Sequence, residues 1–319
     1  MASIRVKPAC PICGAEGETH FPWPSGDGEM RLCSDCDLVF AWPIDGYNPI
    51  ETYSRAYLGQ ERRAQMDEFA RRLQRRSIAV RHEKIGLWSP AHHKAFEWLE
   101  ANVPKGATVM EVGCGVGAVL RGLKHRGYDP VGVDVAKPVI EAAEAEGFRA
   151  WCGGVETIPE DWPEPSAIVS FFVLHHLPDP VCFFKVIRNR WPAPLLIGYN
   201  LSPTKKTAEP HNFPPRTLGW WTETSIKKAL TLAGYDVVQI TRNTRTMAQL
   251  NAPSPLRNAA SSLIWRWPWL RLAAGHAVDT ALAIVHRALK PVPFVSRKLQ
   301  GSLLIIALPR NAPGGAATQ

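Results

Sequence analysis

The chain has 319 residues, of which 45% are hydrophobic and 21% are charged. This composition excludes an intrinsically disordered chain, and the length suffices for one full-size α/β domain with a smaller module. The formal net charge of +8 leaves three kinds of anionic partner open: nucleic acid, an anionic lipid surface and a phosphorylated substrate.

The N-terminal segment and the scattered cysteines indicate the compartment. The N-terminus contains no apolar stretch of the kind a secretory signal needs, and no run approaches the ~18–20 apolar residues of a membrane-spanning helix. Cys114, Cys152 and Cys182 stand singly in apolar surroundings, which favours a reducing compartment over a disulfide framework. We therefore expect a cytoplasmic protein.

The other four cysteines form two CxxC pairs, Cys10–Cys13 and Cys33–Cys36, with nineteen residues between the pairs. Two thiolates in one tight turn bind a metal ion from the same side, and a second such turn completes a tetrahedron. We predict a structural Zn²⁺ held by Cys10, Cys13, Cys33 and Cys36 in a zinc-ribbon-like module over residues 1–48. A redox dithiol is the weaker alternative, because it needs only one CxxC in a βα setting.

The rest of the chain predicts an α/β fold. Residues 49–88 are expected to form a linker with a helix over about 60–84, whose arginines are most simply a solvated face. From 89 onward, strand-like and helix-like segments alternate, which is typical of a Rossmann-like parallel sheet with helices on both faces. Strands are predicted at 108–112, 130–134, 167–172, 194–199, 235–241 and 302–308, and helices at 89–101, 117–126, 138–145, 180–190 and 222–233.

The segment 242–300 interrupts this alternation and is expected to be an insertion before the last strand. Within it, residues 256–300 carry seven Lys or Arg against one Asp, and three tryptophans lie close to an arginine. Such a basic, tryptophan-rich stretch suits a lid, a packed face or a peripheral contact with a membrane surface. Residues 309–319 are expected to be a frayed tail.

The central motif is an apolar strand that runs into glycines, VMEVGCGVG over 109–117. Glycines let the backbone turn sharply and approach a ligand without a Cβ in the way, and the helix that follows begins with unpaired N–H groups. Asp134 ends the next predicted strand, where a carboxylate can accept hydrogen bonds from both hydroxyls of a ribose. The sequence therefore predicts a nucleotide-type cofactor at this turn.

Two cofactors compete for this turn. The glycine spacing, with Asp134 at roughly the right distance, also satisfies the dinucleotide fingerprint, so a nicotinamide-dependent oxidoreductase is an alternative. Glu111 stands two residues before the first glycine, and a carboxylate there is costly to bury unless it serves a ligand or a paired group. Glu111 favours a cofactor other than a nicotinamide dinucleotide.

The pattern E-V-G-C-G-x-G, followed by a strand ending in Asp, resembles motif I and its successor in class I S-adenosylmethionine-dependent methyltransferases. The resemblance implies that Asp134 holds the ribose of S-adenosylmethionine, so that replacing it by Ala abolishes cofactor affinity and leaves the fold intact. It also implies that the methionine part lies beside a loop formed by Glu111, Gly113, Cys114, Gly115 and Gly117.

Residues 166–180, SAIVSFFVLHHLPDP, resemble the fourth strand and the following loop of the same family. The resemblance implies that Phe171 and Phe172 pack near the adenine and the reactive sulfonium. The family usually has an acidic or amide residue after the third strand that contacts the adenine amino group. This sequence has glycine there, so we expect the backbone of Val155 to serve, with Glu156 nearby.

Methyl transfer chiefly requires alignment of the acceptor, the methyl group and the sulfur, and an acceptor hydroxyl or acidic carbon also requires a base. The candidate bases are His175, His176, Tyr199 and His211. His176 is preferred because it aligns with the histidine of the family's loop. For each candidate the alternative is a polar residue of the cleft without a role in catalysis.

The resemblance therefore implies methyl transfer from S-adenosylmethionine to a small-molecule, sugar or lipid-linked glycan-type acceptor, by a domain over 89–308. The sugar emphasis comes from residues 38–43, which resemble the ribbon before certain bacterial sugar and secondary-metabolite methyltransferases. An RNA methyltransferase is the alternative, disfavoured because residues 1–48 contain more acidic than basic residues. A non-catalytic binding module is less expected, since the glycine loop and Asp134 are intact.

Overall fold

The structure is a computed structural model of the chain. The predicted linker helix, His211 and nearly all of the predicted insertion, including 256–300, lie outside the described residues. The described residues up to Thr241 and from Leu303 onward belong to one compact unit. The structure describes residues 8–44, 47–48, 51–52, 90–200, 208, 212–244 and 301–310.

Eleven strands are present among the described residues, and they form two sheets. The small sheet contains β1 (Glu18–Pro22), β2 (Glu29–Leu32), β3 (Val39–Trp42) and β9 (Gly219–Trp220), in that order. The large sheet contains β4 (Thr108–Val112), β5 (Asp129–Asp134), β6 (Arg149–Cys152), β7 (Ala167–Phe171), β8 (Leu195–Asn200), β10 (Tyr235–Thr244) and β11 (Gly301–Pro309).

The large sheet has the strand order β10-β11-β8-β7-β4-β5-β6. The pairs β4–β5, β4–β7, β5–β6 and β7–β8 are parallel. All five residues of β7 and the first five of β8 are buried, as expected for parallel strands covered on both faces, which read as apolar runs without alternation. The predicted Rossmann-like α/β class is confirmed, and β6 is the third strand that the resemblance implied.

Five α-helices cover or flank this sheet in the described part of the chain. Two begin on strong capping signals: the Asp179 side chain accepts a hydrogen bond from Cys182 N–H, and Thr222 forms a capping box with Ser225. No helix that the structure describes is both long and apolar enough to cross a bilayer. The helices are α1 (Pro90–Asn102), α2 (Ala118–His125), α3 (Lys137–Ala145), α4 (Pro180–Arg190) and α5 (Glu223–Leu232).

The C-terminal strand is longer than predicted. β11 continues through Pro309, Arg310 N–H donates to the Gly234 carbonyl at 2.9 Å, and the Arg310 side chain contacts Asp236 at 2.6 Å. The sequence analysis assigned Pro309 and Arg310 to the tail, but Pro309 belongs to β11 and Arg310 is bonded to residues at the start of β10. Residues 311–319 lie outside the described part.

The N-terminal module, called here the cysteine ribbon (residues 8–44), shares its sheet and its core with the rest of the fold. β3 pairs antiparallel with β9, with Val39 opposite Trp220 and Phe40 opposite Gly219. The core cluster that contains the buried cysteines of the ribbon also contains residues of β8 and α5. The ribbon is thus packed onto the large sheet and does not form a separate module with a core of its own.

The two CxxC turns of the ribbon have the same shape, and one of them carries a strained residue. Gly14 N–H donates to Cys10 O and Asp37 N–H donates to Cys33 O, each at 2.9 Å. Gly14 has a φ of 75° and Asp37 a φ of 59°. A side chain in this left-handed region costs about 1 kcal/mol, which glycine avoids.

We expect Asp37→Gly to raise the free energy of unfolding by about 0.5–1 kcal/mol, because it removes the left-handed strain from an exposed position. Urea denaturation of the metal-loaded protein measures the change. Asp35→Gly is the matched control, since Asp35 lies in the same turn without a positive φ and should be destabilised. Equal destabilisation of both variants would contradict the assignment of strain to Asp37.

Candidate active site

The glycine loop connects β4 to α2. Two of its positions, 113 and 115, are occupied by glycine for different structural reasons. At Gly113, with a φ of 82°, a Cβ would overlap the Val173 side chain, so the loop after β7 can approach only a bare backbone. At Gly115, with a φ of 50°, the Cβ position has no atom within 4 Å. Gly113 therefore closes the turn against its neighbour, whereas Gly115 faces open space that a ligand can enter.

Asp134, at the end of β5, ties the glycine loop to the neighbouring strand. Its Oδ2 accepts a hydrogen bond from Gly115 N–H and its Oδ1 accepts one from Ala136 N–H, both at 3.0 Å. Burial raises the pKa of Asp134 above its usual value, while these bonds oppose the rise. The carboxylate thus supports the loop, so we expect Asp134→Ala to lower the stability of the fold as well, and an intact fold for this variant stays a prediction.

Glu111 lies behind the loop, within β4. Its side chain is buried, and in the described part of the structure its Oε2 has no hydrogen-bond partner. Burial, and secondarily the charge of Asp134, raise the pKa of Glu111 well above its usual value. Glu111 is not among the residues that line the cavity described next, and its assignment as a cofactor-binding residue stays a prediction.

A cavity of about 500 Å³ opens at the carboxyl ends of β4, β5, β6 and β7. Ligands of open α/β sheets bind at this edge, and the volume lies within the range of about 300–1,000 Å³ found for small-molecule sites. Residues at the start of α4 complete the wall. The lining includes Gly113, Gly115, Asp134, Val155, Glu156, Phe171, Phe172 and His176.

The exit of β6 lies directly beside Asp134, because Gly153 N–H donates to the Asp134 carbonyl at 2.9 Å. A short 3-10 turn over Val155–Thr157 follows. A Cβ on Gly154 would overlap the Glu156 carboxylate, whose Cδ and Oε2 lie 2.5 Å from that position. The carboxylate of Glu156 therefore occupies the space that a side chain at position 154 would fill.

At the exit of β7, Phe172 has a φ of 60° and donates its N–H to the Gly198 carbonyl at 2.8 Å. The ring of His92, on α1, stacks on Phe171 with 4.2 Å between ring centroids and lies 5.4 Å from the ring of Phe172. Sequence reasoning did not single out His92, because nothing in a helix that precedes the glycine loop marks which side chain will reach β7.

His176 is the candidate base that lines the cavity. Its Nδ1 lies 2.6 Å from the Arg216 carbonyl oxygen. A carbonyl can only accept, so Nδ1 carries the proton and the lone pair of the neutral ring is on Nε2. Burial lowers the pKa of His176 to about 4. At neutral pH the ring is therefore neutral, with its lone pair on Nε2, and it is a weaker base than an ordinary imidazole.

Tyr199 and His175 are not among the described residues that line the cavity. The Tyr199 hydroxyl is buried and accepts a hydrogen bond from Trp221 N–H at 3.3 Å. The centroid of the His175 ring lies 3.7 Å from that of the His176 ring and 6.1 Å from that of the Tyr199 ring. His211 lies outside the described residues.

Two predicted loop residues also lie away from the cavity lining. The Cys114 side chain packs into a buried cluster beside α2 and α3, and its thiol lies 3.7 Å from the Gly115 carbonyl. Gly117 is the N-cap of α2, with a φ of 78°. Their contribution is to the shape of the loop, and their assignment as cofactor-binding residues stays a prediction.

Comparison with known proteins decides the family. A model of the methyltransferase domain family matches residues 80–240, more than half of the chain. The chain belongs to this methyltransferase family. The predicted enzyme class is thereby confirmed, and with it S-adenosylmethionine as the cofactor. A search of curated proteins found no match to the methyltransferase.

Solved structures similar to this methyltransferase share its fold at low identity. A putative methyltransferase from Bacillus halodurans is 16% identical, with 68% of this chain and 98% of that chain covered and a TM-score of 0.43. Magnesium protoporphyrin IX methyltransferase from Synechocystis with bound S-adenosylhomocysteine is 13% identical, with 83% and 100% covered and a TM-score of 0.48. Phosphoethanolamine N-methyltransferase 2 from Haemonchus contortus, in complex with S-adenosylmethionine, is 13% identical, with 85% and 62% covered and a TM-score of 0.50.

The methyltransferase has a second cluster of chemically reactive groups in its cysteine ribbon. The Sγ atoms of Cys10 and Cys36 lie 3.5 Å apart, those of Cys13 and Cys33 3.4 Å apart, and all four lie within 4.8 Å of one another. A tetrahedral ion with Zn–S distances of about 2.3 Å places its sulfurs about 3.8 Å apart, whereas a disulfide requires about 2.05 Å. The four thiols therefore fit a single tetrahedral metal ion.

Proposed function

We propose that this methyltransferase methylates a small-molecule, sugar or lipid-linked glycan-type acceptor. The observation that supports the site assignment is the cavity, where the bare backbone at Gly115 and the half-buried carboxylate of Asp134 lie side by side. When bound, S-adenosylmethionine supplies a methyl group on an already activated sulfonium. The protein's own tasks are to hold and orient the reactants, to exclude water and to accept a proton.

We assign the methionine and ribose parts of the cofactor to the β4 and β5 exits. Gly113 and Gly115 offer backbone that a ligand can approach closely. Oδ2 of Asp134 accepts from Gly115 N–H in the loop and Oδ1 accepts from Ala136 N–H at the start of α3. A carboxylate has two acceptor oxygens, which suit the two hydroxyls of a ribose. Phe171 and Phe172 lie on the next wall and suit the flat face of a base.

We assign the adenine amino group to Glu156. Glu156 lines the cavity, and its carboxylate fills the space left by Gly154. The preceding residue, Gly153, donates its N–H to the Asp134 carbonyl. A carboxylate only accepts hydrogen bonds, so it recognises the exocyclic amine of adenine and rejects a carbonyl at the same position. The backbone of Val155 is the second contact that we propose for the base.

We expect Glu156→Gln to weaken S-adenosylhomocysteine binding by about tenfold, because a charge-assisted hydrogen bond is replaced by a neutral one. Calorimetric titration measures this affinity.

Gly154→Asp should weaken the binding of S-adenosylhomocysteine as well, because the new side chain overlaps the Glu156 carboxylate. Combined with Glu156→Ala, Gly154→Asp should recover affinity, since the acid then reaches the cavity from position 154.

The control for the Glu156 variants is Glu160→Gln, an exposed acid in the same loop. A second test compares S-adenosylhomocysteine with its inosine analogue, which carries a carbonyl where adenine carries its amine. The wild-type protein should prefer the adenine compound, and Glu156→Gln should lose that preference. An unchanged preference in Glu156→Gln would exclude Glu156 from base recognition.

We propose His176 as the general base. Its Nδ1 proton is committed to the Arg216 carbonyl, its ring lines the cavity and its Nε2 carries the lone pair. His176 accepts the proton that the acceptor hydroxyl or acidic carbon loses as that atom is methylated, and the resulting imidazolium returns the proton to water. Tyr199, His175 and His211 remain weaker candidates.

We expect His176→Gln to lower kcat by about 10²–10⁴-fold, the usual contribution of a general base, while S-adenosylhomocysteine affinity changes little. The lowered pKa also sets the pH profile. A base works deprotonated, so the activity of the wild type should hold down to about pH 5 and fall through a pKa of about 4, instead of the ordinary 6.5.

The matched control for His176 is His125→Gln, an exposed histidine at the end of α2, which should leave kcat and its pH profile unchanged. An activity of His176→Gln equal to that of the wild type would assign the proton transfer to another group. If the activity of the wild type falls near pH 6.5 instead of near pH 4, burial does not hold the ring neutral.

The acceptor class is testable by transfer of a tritiated methyl group from S-adenosylmethionine into three fractions: polar metabolites, lipids with lipid-linked glycans, and total RNA. We expect label in the first or second fraction. RNA is disfavoured because the cysteine ribbon contains more acidic than basic residues, which makes it a poor clamp for phosphates. Label confined to RNA would overturn the proposed acceptor.

We propose that Cys10, Cys13, Cys33 and Cys36 hold a structural Zn²⁺. The sulfur distances support this, because all four Sγ atoms lie within 4.8 Å of one another. The predicted cytoplasmic location remains a prediction. The peripheral membrane contact also remains a prediction, because residues 256–300 lie outside the described part of the chain.

A further inference from the structure

The turn that carries His176 is held from outside by three hydrogen bonds to its backbone carbonyls. Leu174 O accepts from the Trp221 indole N–H at 3.1 Å and His175 O accepts from Leu218 N–H at 2.7 Å. His176 O accepts from the Tyr47 hydroxyl at 3.4 Å. These bonds fix the direction of a turn whose side chain lines the cavity.

One of these donors, Leu218, is bonded to the cysteine ribbon, and another, Tyr47, follows the ribbon along the chain. Leu218 precedes β9, and its carbonyl accepts from Ala41 N–H of β3 at 2.8 Å. Tyr47 follows β3 along the chain. A continuous ladder of backbone bonds therefore runs from Ala41 of the ribbon through Leu218 to His175.

The cysteine ribbon has too little structure of its own to hold this ladder without help. Its strands have four or five residues, and an isolated sheet of this size is marginal in water. Met30 and Val39 of the ribbon are buried against Phe213, Leu218 and Trp220 of the β9 segment. A metal bound by the four cysteines would supply the missing stability of the ribbon.

The cofactor loop is anchored elsewhere. Gly113 N–H donates to Val133 O at 2.7 Å and Gly115 N–H to the Asp134 carboxylate, so these bonds run between the β4 and β5 exits. The two halves of the cavity thus depend on different supports. The glycine loop depends on β5, and the turn over Leu174–His176 depends on β9 and the ribbon.

We propose that the metal-loaded cysteine ribbon is a positioning element of the active site, which holds the Leu174–His176 turn through β9 and Tyr47. The proposal rests on the proposed role of His176 for its catalytic consequence. Its structural part is independent of any acceptor. Metal loss should loosen the turn and leave the glycine loop and the binding of S-adenosylhomocysteine largely in place.

The test is amide hydrogen exchange of the full chain, zinc-loaded and after removal of zinc by a chelator. The Leu218 amide reports directly on its bond to His175 O. We expect exchange at 174–176 and 218–221 to accelerate at least about tenfold on zinc removal, as expected when about 1.4 kcal/mol of local protection is lost. Peptides over 111–117 should change little. Unchanged protection at 174–176 and 218–221 would overturn the proposal.

A second variant decides the case in which the zinc-free chain unfolds throughout. Tyr47→Phe, with zinc in place, removes one bond to the turn, and Tyr128→Phe is the control, because its buried hydroxyl has no partner in the described part of the chain. Faster exchange confined to the turn in Tyr47→Phe supports the proposal, and no difference from Tyr128→Phe overturns it. Once an acceptor is known, Tyr47→Phe should lower kcat several-fold without raising KM for S-adenosylmethionine. A fall in affinity for that cofactor instead would place Tyr47 in cofactor binding.

Discussion

Replacing Asp134 by Ala is expected to lower the affinity for S-adenosylhomocysteine by at least about 100-fold. Two hydrogen bonds from ribose hydroxyls to a charged acceptor contribute about 1.5–3 kcal/mol each, and 1.4 kcal/mol is a factor of ten. The same change leaves Gly115 N–H and Ala136 N–H without the acceptor they use. The free energy of unfolding should therefore fall as well, by about 1–3 kcal/mol for each unpaired group.

Calorimetric titration and urea denaturation, made on the same samples, separate the two effects. Asp129→Ala is the matched control, because Asp129 is an exposed acid at the start of the same strand; it should bind normally. Asp134→Asn preserves the shape of the side chain and should still lose at least about tenfold in affinity. Unchanged binding by a folded Asp134→Asn protein would show that the ribose is held elsewhere.

Loss of one ribbon cysteine is expected to cost the protein its zinc and several kcal/mol of stability. Structural zinc contributes on the order of 10 kcal/mol to small zinc modules at neutral pH, and Cys33 is buried within the four-sulfur cluster. Cys33→Ser should therefore bind substoichiometric zinc and unfold at lower temperature. Native mass spectrometry measures the metal content, and calorimetry measures the transition.

The control for Cys33→Ser is Cys152→Ser, the same change at an exposed cysteine outside the cluster. It should retain a single zinc ion per chain and the thermal transition of the wild type. Wild-type protein that purifies folded, free of metal and with four titratable ribbon thiols would contradict the zinc assignment. So would a Cys33→Ser variant of unchanged stability.

Local sequence patterns were sufficient to predict most of the large sheet and its glycine loop. β4, the turn and α2 follow one another within a short segment, and the positive φ angles at Gly113 and Gly115 are local backbone demands. α4 has the predicted bounds, because Asp179 and Pro180 form a strong start signal. The end of β5 at Asp134 was also predicted, because an apolar run stops there.

Contacts between distant segments could not be predicted. β9 has two residues, too few for any periodicity, yet it joins the ribbon to the large sheet. The packing of His92 on Phe171 has no local signal either. Of the neighbouring candidate bases, His176 lines the cavity while His175 does not, because adjacent residues of one turn point in different directions.

Calorimetric titration of the folded, zinc-loaded wild-type protein with S-adenosylhomocysteine, and in parallel with NAD, tests the central claim most directly. The account predicts saturable binding of S-adenosylhomocysteine at one site per chain and no binding of NAD. A folded, zinc-loaded sample that binds NAD, or that binds neither S-adenosylhomocysteine nor S-adenosylmethionine, would contradict it.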